Sequence, residues 1–203
     1  MNRVFVTGAN GFVGSRLCRV LMGGDYAVRA AYRHSCPHDD LAVQEQVVVG
    51  DIGSGTQWDV ALHDVDCVIH LAARVHVMAE KTGDTLSRFR LVNVDGTINL
   101  ARQAAAAGVK RFIYLSSIKV NGETTSVGKR FNADDFPAPI DPYAISKYET
   151  EQVLLELSSE TALEVVIIRP PLVHGPGVRA NFQKMMQFLC KGFPLPLGAI
   201  HNK

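Results

Sequence analysis

Tyr143 and Lys147 are the residues of this sequence best suited to acid–base chemistry. They lie four positions apart, so on a helix they share one face. A lysine ammonium one turn from a phenol favours the phenolate, which predicts a pKa for Tyr143 below the usual value of about 10. Such a tyrosine can donate or accept a proton near neutral pH. The same spacing also occurs in solvent-facing pairs, so this interpretation depends on the neighbouring features.

Two serines stand where a strand is predicted to end. Ser116 ends the predicted strand Arg111–Ser116, and Ser117 is the next residue. In an open parallel sheet, ligands bind outside the carboxyl ends of the strands. A hydroxyl at that edge can hydrogen-bond a reacting oxygen, although two serines can also simply terminate a strand.

A glycine-rich turn follows the first predicted strand, close to the N-terminus. Gly8, Gly11 and Gly14 recur every three residues, and the whole run reads Gly8-Ala9-Asn10-Gly11-Phe12-Val13-Gly14. This spacing lets the backbone turn sharply and approach a ligand, while the following helix offers N–H groups and a positive dipole end to a pyrophosphate. The position between a strand and an amphipathic helix favours a dinucleotide site over an ordinary glycine turn.

The end of the second predicted strand bears on which dinucleotide is bound. NAD sites usually place Asp or Glu about 20 residues after the glycines, to hold the ribose diol. No acidic residue occurs between Tyr26 and Pro37, whereas Arg33 stands at the strand end and Arg29 within the strand. A guanidinium can pair with a 2′-phosphate through two hydrogen bonds. We therefore predict NADP rather than NAD, with a solvated arginine as the alternative.

Apolar, β-rich runs alternate with helical patterns along the chain. This alternation predicts an α/β protein with a parallel sheet. The predicted helices are Phe12–Met22, Thr85–Ala107 and Pro142–Ser158. The predicted strands are Arg3–Thr7, Tyr26–Arg33, Gln46–Val49, Cys67–Ala72, Arg111–Ser116 and Glu164–Arg169.

Composition excludes several classes of protein. The chain has 203 residues with 21 basic and 20 acidic side chains, a net charge of +1, and is 47% hydrophobic. This balance argues against a disordered chain and against a nucleic-acid surface. The sequence contains no apolar run of about 20 residues, so no membrane-spanning helix is predicted. The N-terminal residues do not have the pattern of a signal peptide. Four cysteines without close pairs read as reduced thiols of a cytoplasmic protein. The histidines and cysteine of residues 34–38 match no closed metal site, so no metal is expected.

The last thirty residues differ from the rest. Five prolines and several glycines between Pro170 and Gly198 predict an irregular segment. We expect residues 1–170 to form a dinucleotide-binding domain and residues 171–203 to begin a substrate-binding segment that is truncated. A small domain with a loose tail is the alternative.

Several motifs together resemble the extended short-chain dehydrogenase/reductase family, in particular its nucleotide-sugar epimerases. They follow the family's order from residue 4 to about residue 182. The residues that carry the resemblance are Thr7 to Gly14, His70-Leu71-Ala72-Ala73, Asn93-Val94-Asp95-Gly96-Thr97, Ser116-Ser117, Tyr143 to Lys147 and Arg169-Pro170. The resemblance implies a Rossmann-type doubly wound sheet with helices on both faces, and a homodimer built on paired helices.

The resemblance also assigns roles to individual residues. It implies Ser117, Tyr143 and Lys147 as the catalytic set, with Ser117, Lys119 and Asn181 at the substrate. The cofactor residues that the glycine motif and the resemblance imply together are Gly8, Asn10, Gly11, Phe12, Val13, Gly14, Arg33, Asp51, Ile52, Leu71, Ala72, Ala73, Tyr143, Lys147 and Pro170.

The departures from the epimerase pattern narrow the expected substrate. Asn121 and His174 stand where tyrosines are usual, and Leu172 replaces an asparagine. The segments around Ser117 and Pro170 resemble a bacterial branch linked to UDP-N-acetyl-hexosamine modification in surface-polysaccharide synthesis. We therefore expect redox chemistry at C4 of a UDP-sugar, either 4-epimerisation or 4-keto reduction. The alternatives are a carbonyl reductase acting on a non-sugar ketone and a non-catalytic dinucleotide-binding module.

Overall fold

One sheet of six parallel strands runs through the computed structural model, which describes residues 2–35, 41, 43–75, 84–126, 128–178 and 180–192, with backbone only at 180 and 181. In space the strands follow the order β3-β2-β1-β4-β5-β6. Every neighbouring pair is parallel. The strands are β1 (Asn2–Thr7), β2 (Tyr26–Tyr32), β3 (Glu45–Val48), β4 (Cys67–His70), β5 (Arg111–Leu115) and β6 (Glu164–Ile168).

Six α-helices accompany the strands in the described part of the chain. Asp141 caps the N-terminus of the fifth helix, where its carboxylate accepts a hydrogen bond from the Ala144 amide, and Pro142 is the first helical residue. Both residue types are favoured at these positions. The helices are α1 (Phe12–Met22), α2 (Asp59–Leu62), α3 (Thr85–Phe89), α4 (Thr97–Ala106), α5 (Pro142–Glu160) and α6 (Ala180–Cys190).

Hydrophobic side chains cover both faces of the sheet. Alternate residues of β1 point to opposite faces, so Phe5 belongs to one cluster while Val4 and Val6 belong to the other. The Phe5 cluster includes residues of α2, α4 and α5, and the Val4 cluster includes Cys18 of α1. The predicted Rossmann-type sheet with helices on both faces is confirmed.

The structure differs from the predicted secondary structure in three places. The single helix predicted over Thr85–Ala107 is instead α3, a π-helical turn over Arg90–Gly96, and α4. The short helix α2 was not predicted, because four residues are too few for a periodic signal. The segment after Pro170 is not irregular throughout, since it contains α6. The apolar spacing of Phe182, Met185, Met186 and Leu189 is the signal that could have revealed it.

The strand order sets where a ligand can bind. The order reverses between β1 and β4, and in such sheets ligands bind at this point, outside the carboxyl ends of the strands. The glycine turn follows β1, Leu71 follows β4 and Ser116 follows β5. Several motifs that are distant in sequence therefore meet at one edge.

Candidate active site

The glycine turn is built for close approach of the backbone. Gly8 has a φ of 67°, and a Cβ there would lie 2.8 Å from the Ala72 nitrogen. A Cβ on Gly14 would lie 2.1 Å from the Gly8 oxygen, so only glycine lets α1 pack this closely on the turn. Among the residues that the structure describes, no side chain caps the first turn of α1 and none of that turn is acidic. Its N–H groups can therefore face an anion.

A cleft of about 370 Å³ opens beside this turn. It brings together seven of the predicted cofactor residues, namely Gly8, Asn10, Arg33, Asp51, Ile52, Ala72 and Ala73. A second cleft, of about 1000 Å³, lies along the outer side of the turn and contains Gly11, Phe12 and Val13 opposite residues 173–177. The narrow glycine backbone and the adjoining clefts fit a dinucleotide with its pyrophosphate at the start of α1.

The two arginines considered for a 2′-phosphate have different surroundings. Arg29 is 7% exposed, and its guanidinium binds Glu45 and the carbonyls of Ala61 and His63. Arg29 is therefore a structural residue. Arg33 lines the cleft and forms an exposed ion pair with Asp51. A 2′-phosphate would have to displace that carboxylate.

Leu71 and Ala72 are held in place by a buried chain of polar groups. Thr7 Oγ1 accepts hydrogen bonds from both of their amides, at 3.2 Å each. Its one proton therefore goes to His70 Nδ1, 2.6 Å away, and the other ring nitrogen of His70 donates to Thr97 Oγ1 at 2.9 Å. Burial lowers the pKa of His70 to about 3, with a smaller effect of the Lys147 charge, so the ring is neutral. This network ties the glycine turn to the end of β4.

Lys147 is buried at the end of β5. It is 2% exposed, its ammonium donates to the Leu115 carbonyl at 2.8 Å, and it lies 4.5 Å from the centre of the Tyr114 ring. Burial lowers the pKa of Lys147 to about 7, partly opposed by the negative charge of Glu151. Lys147 is thus a hydrogen-bond donor at the carboxyl edge of the sheet whose charge changes near neutral pH.

Tyr143 lies on the same face of α5 as Lys147, as the four-residue spacing predicts. Its ring packs edge-on against Phe89, and the Lys147 ammonium lies 5.8 Å from the ring centre. The prediction that Lys147 lowers the pKa of Tyr143 is wrong. Burial raises that pKa, Asp141 adds to the rise, and Lys119 opposes it. The reason is geometric, because the Lys147 ammonium is directed to Leu115.

The two serines are in different environments. The Ser116 hydroxyl is buried and donates to Glu151 Oε1. Ser117 is partly exposed, and its hydroxyl accepts a hydrogen bond of 3.3 Å from the Lys119 amide, which leaves its proton available to a ligand. This difference supports Ser117 as the functional hydroxyl.

The predicted substrate residues receive different support. The Lys119 ammonium bonds Asp141 at 2.6 Å and Glu123 at 3.2 Å, so it is already paired with two carboxylates. Pro170 lies two residues after the end of β6, and its carbonyl accepts from the Ile118 amide at 3.0 Å. The side chain of Asn181 lies outside the described residues, as do Cys36 and His38. No cluster of metal-binding side chains occurs among the residues that the structure describes.

Sequence reasoning missed several polar residues that hold the site together. Asn93, in the π-helical turn, bonds both the nitrogen and the oxygen of Arg74 and the Ser146 hydroxyl. Asn121 accepts from Arg169 and donates to the Asn132 carbonyl, so it joins the end of β6 to residue 132. Asn93 belongs to a motif that carried the resemblance, and its burial was the missing information.

Comparison with known proteins agrees with this arrangement. The profile of the family described as NAD dependent epimerase/dehydratase matches residues 4–191. The chain belongs to this family. No helix among the described residues of this family member has the length and apolar character needed to cross a membrane.

Individual relatives are similar to almost the whole of this chain. It is 48% identical over 198 residues to a Vibrio cholerae protein named UDP-glucose 4-epimerase, covering 97% of this chain and 60% of that protein. It is 33% identical to a Mycolicibacterium neoaurum 3-beta-hydroxysteroid dehydrogenase, covering 95% of this chain and 53% of that protein. The chain thus spans 60% and 53% of the lengths of these relatives.

Two solved structures share the fold of this chain. A UDP-glucuronic acid 4-epimerase from Bacillus cereus, in complex with NAD, matches with a TM-score of 0.79 and 26% identity. The match covers 95% of this chain and 65% of that one. MoeE5 in complex with UDP-glucose and NAD matches with a TM-score of 0.80 and 29% identity, over 96% of this chain and 63% of that one.

Proposed function

We propose that this chain carries the cofactor-binding and catalytic residues of an NAD(P)-dependent enzyme acting at C4 of a nucleotide sugar. The observation that carries the proposal is the position of Lys147. Its ammonium binds the end of β5 two residues from Ser117, on the same helix face as Tyr143 and at the same sheet edge as the glycine turn. These groups lie where substrates bind in open parallel sheets.

Each residue of the catalytic set has one role in this proposal. Tyr143 gives a proton to the C4 oxygen in the reducing direction and removes the C4 hydroxyl proton in the oxidising direction. Ser117 hydrogen-bonds that oxygen, and Lys147 orients the nicotinamide ribose. The nicotinamide, when bound, supplies the hydride acceptor and donor. Because burial and Asp141 raise the pKa of Tyr143, its action as a base depends on a nearby positive charge, and the Lys119 ammonium is the charge that opposes the rise.

The proposal also concerns which sugar is bound and in which direction the reaction runs. The 48% identical relative named UDP-glucose 4-epimerase favours epimerisation of a UDP-hexose. The residues around Ser117 and Pro170 favour a UDP-N-acetyl-hexosamine, with 4-epimerisation or 4-keto reduction. The relative named 3-beta-hydroxysteroid dehydrogenase keeps a non-sugar alcohol or ketone as the second candidate.

The cofactor proposal follows from Arg33 and Asp51. Relatives solved with NAD support a nicotinamide dinucleotide. We propose that Arg33, once released from Asp51, binds a 2′-phosphate, which would give the NADP preference that the absence of an acidic ribose ligand predicts. A homodimer and a cytoplasmic location complete the proposal; size-exclusion chromatography with light scattering tests the first.

The decisive experiment follows the fate of C4. The protein is expressed with any residues that its gene encodes after Lys203. It is then incubated with NAD and either UDP-glucose or UDP-N-acetylglucosamine. Proton NMR detects the C4 epimer, and a 4-keto sugar with NADPH tests reduction. Epimer or reduced sugar formed with wild-type protein and lost in Tyr143→Phe supports the proposal. Turnover of a hydroxysteroid or simple ketone alone supports the second candidate, and cofactor binding without any turnover supports a non-catalytic module.

A further inference from the structure

Glu151 is a buried carboxylate that the proposed chemistry does not use. Its side chain is 1% exposed, and it lies one helical turn after Lys147 on α5. Its Oε1 accepts hydrogen bonds from the Ser116 hydroxyl and from Arg169 Nε at 3.0 Å, and its Oε2 accepts from Arg169 Nη2 at 2.5 Å. Burying a carboxylate costs free energy even when it is paired. The partners of Glu151 therefore indicate what its burial achieves.

The partners of Glu151 are the residues next to two site residues. Ser116 precedes Ser117, and Arg169 precedes Pro170. The backbone joins the same two segments, because the Ser116 amide donates to the Ile168 carbonyl at 2.8 Å and the Ile118 amide donates to the Pro170 carbonyl at 3.0 Å. Glu151 therefore contacts both strand ends at the point where each leads into the site.

Lys147 and Glu151 attach α5 to the sheet as a pair. Lys147 binds the Leu115 carbonyl, and Glu151, one turn later, binds the next residue of the same strand end. Tyr143 is one turn earlier on the same face. A shift of α5 along the sheet would break both attachments together, so they define the position of Tyr143 relative to Ser117.

We propose that Glu151 is a positioning residue that holds the ends of β5 and β6 against α5, and thereby keeps Ser117 at a constant position relative to Tyr143 and Lys147. The inference rests on the proposed function for its catalytic consequence. Glu151 acts through Ser116 and Arg169 rather than by touching substrate. Displacement of a reacting group by about 1 Å can reduce a rate about a hundredfold, so small movements of these strand ends matter.

The alternative is that Glu151 and Arg169 form an ion pair that serves stability alone. Buried ion pairs can often be replaced by apolar side chains of similar size without loss of stability. An apolar replacement cannot, however, accept the Ser116 hydrogen bond. A variant that restores packing but lacks the carboxylate therefore separates positioning from stability.

The first test measures the strand ends directly, without cofactor. Hydrogen–deuterium exchange is recorded for wild-type chain, Glu151→Gln and the matched control Glu149→Gln, whose native carboxylate pairs with Arg90 at the surface of the same helix. We expect the amides of Ser116 and Ile118 to exchange roughly tenfold faster or more in Glu151→Gln, with unchanged exchange in β1 and β2. Unchanged exchange at both amides overturns the proposal.

The second test uses a variant that is designed to fold. Glu151→Met combined with Arg169→Met removes both charges and fills the same space. We expect a thermal midpoint near that of wild type, with kcat reduced roughly 10- to 100-fold and KM for the UDP-sugar nearly unchanged. Ser116→Ala, which keeps the ion pair, should show a smaller loss of kcat, and Glu149→Gln none.

The outcomes separate this inference from the proposed function. A stable double variant with wild-type kcat shows that Glu151 serves stability alone and overturns the inference. Wild-type protein that turns over no nucleotide sugar contradicts the proposed function, while the exchange measurement still decides whether Glu151 holds the strand ends.

Discussion

The ammonium of Lys147 donates a 2.8 Å hydrogen bond to the backbone carbonyl of Leu115, one residue before the two serines. This bond places a buried positive charge at the carboxyl end of β5. The same bond holds the ammonium at Leu115, 5.8 Å from the centre of the Tyr143 ring, and the pKa of Tyr143 is raised by burial. Cofactor binding is expected to depend on the charge of this lysine.

Cofactor affinity should fall as the pH rises through the pKa of Lys147, which burial lowers to about 7. Below that pH the lysine is an ammonium and can donate to ribose hydroxyls, whereas above it the amine has lost one donor and its charge. We expect the Kd for NADH to rise up to about tenfold per pH unit above this point. Fluorescence titration from pH 6 to 9 measures it, with Lys147→Met as the control that should be insensitive to pH. A flat profile in wild type would contradict the expected role.

Tyr143→Phe should lower kcat by about 10²–10⁴-fold, because it removes the transferable proton and retains the ring packed on Phe89. Its Kd for NADH should change little, since the phosphates lie at the glycine turn. Lys147→Ala should instead weaken both turnover and NADH binding. Steady-state kinetics and calorimetry on the two variants provide the comparison. Near-full turnover in Tyr143→Phe would show that this tyrosine serves packing only.

Asp51→Asn should shift selectivity from NADH towards NADPH by about tenfold, equivalent to about 1.4 kcal/mol. The substitution removes a negative charge from the cleft and releases Arg33 from its ion pair. Arg33→Ala should shift selectivity the other way. Calorimetric titration of both dinucleotides into wild type and both variants measures the ratio. If wild type binds NADPH no more tightly than NADH, the predicted NADP preference is wrong.

Acid should destabilise the chain through His70. Burial lowers its pKa to about 3, against about 6.5 in an unfolded chain, so between these values the unfolded state binds more protons than the folded state. Stability due to this group is complete above pH 6.5 and falls by roughly 1 kcal/mol per pH unit below it.

The test compares the slopes of two proteins. Chemical denaturation of wild type and His70→Asn between pH 4 and 8 isolates the contribution of the ring, because other groups titrate alike in both. We expect the variant to be less stable at pH 8 but to lose less stability on acidification. Parallel slopes would mean that His70 is not the group responsible.

The secondary structure and the glycine turn of this protein can be predicted from the sequence alone. The alternation of β-rich runs and helices predicts the parallel sheet, because buried strands and amphipathic helices differ in period and that difference is local. The glycine spacing likewise predicts a backbone turn without room for side chains, and a Cβ added to Gly14 would lie 2.1 Å from the Gly8 oxygen.

Other features depend on contacts between distant segments. The Ser116 hydroxyl donates to Glu151, 35 positions away in sequence, and the pKa of Tyr143 is raised by burial and by the charge of Asp141. Arg29 and Arg33 look alike in sequence, but only the tertiary structure buries the first against Glu45 and leaves the second in the cleft. Motifs record which groups are present, whereas hydrogen-bond partners and desolvation arise only when the chain folds, because they depend on distance in space rather than along the sequence.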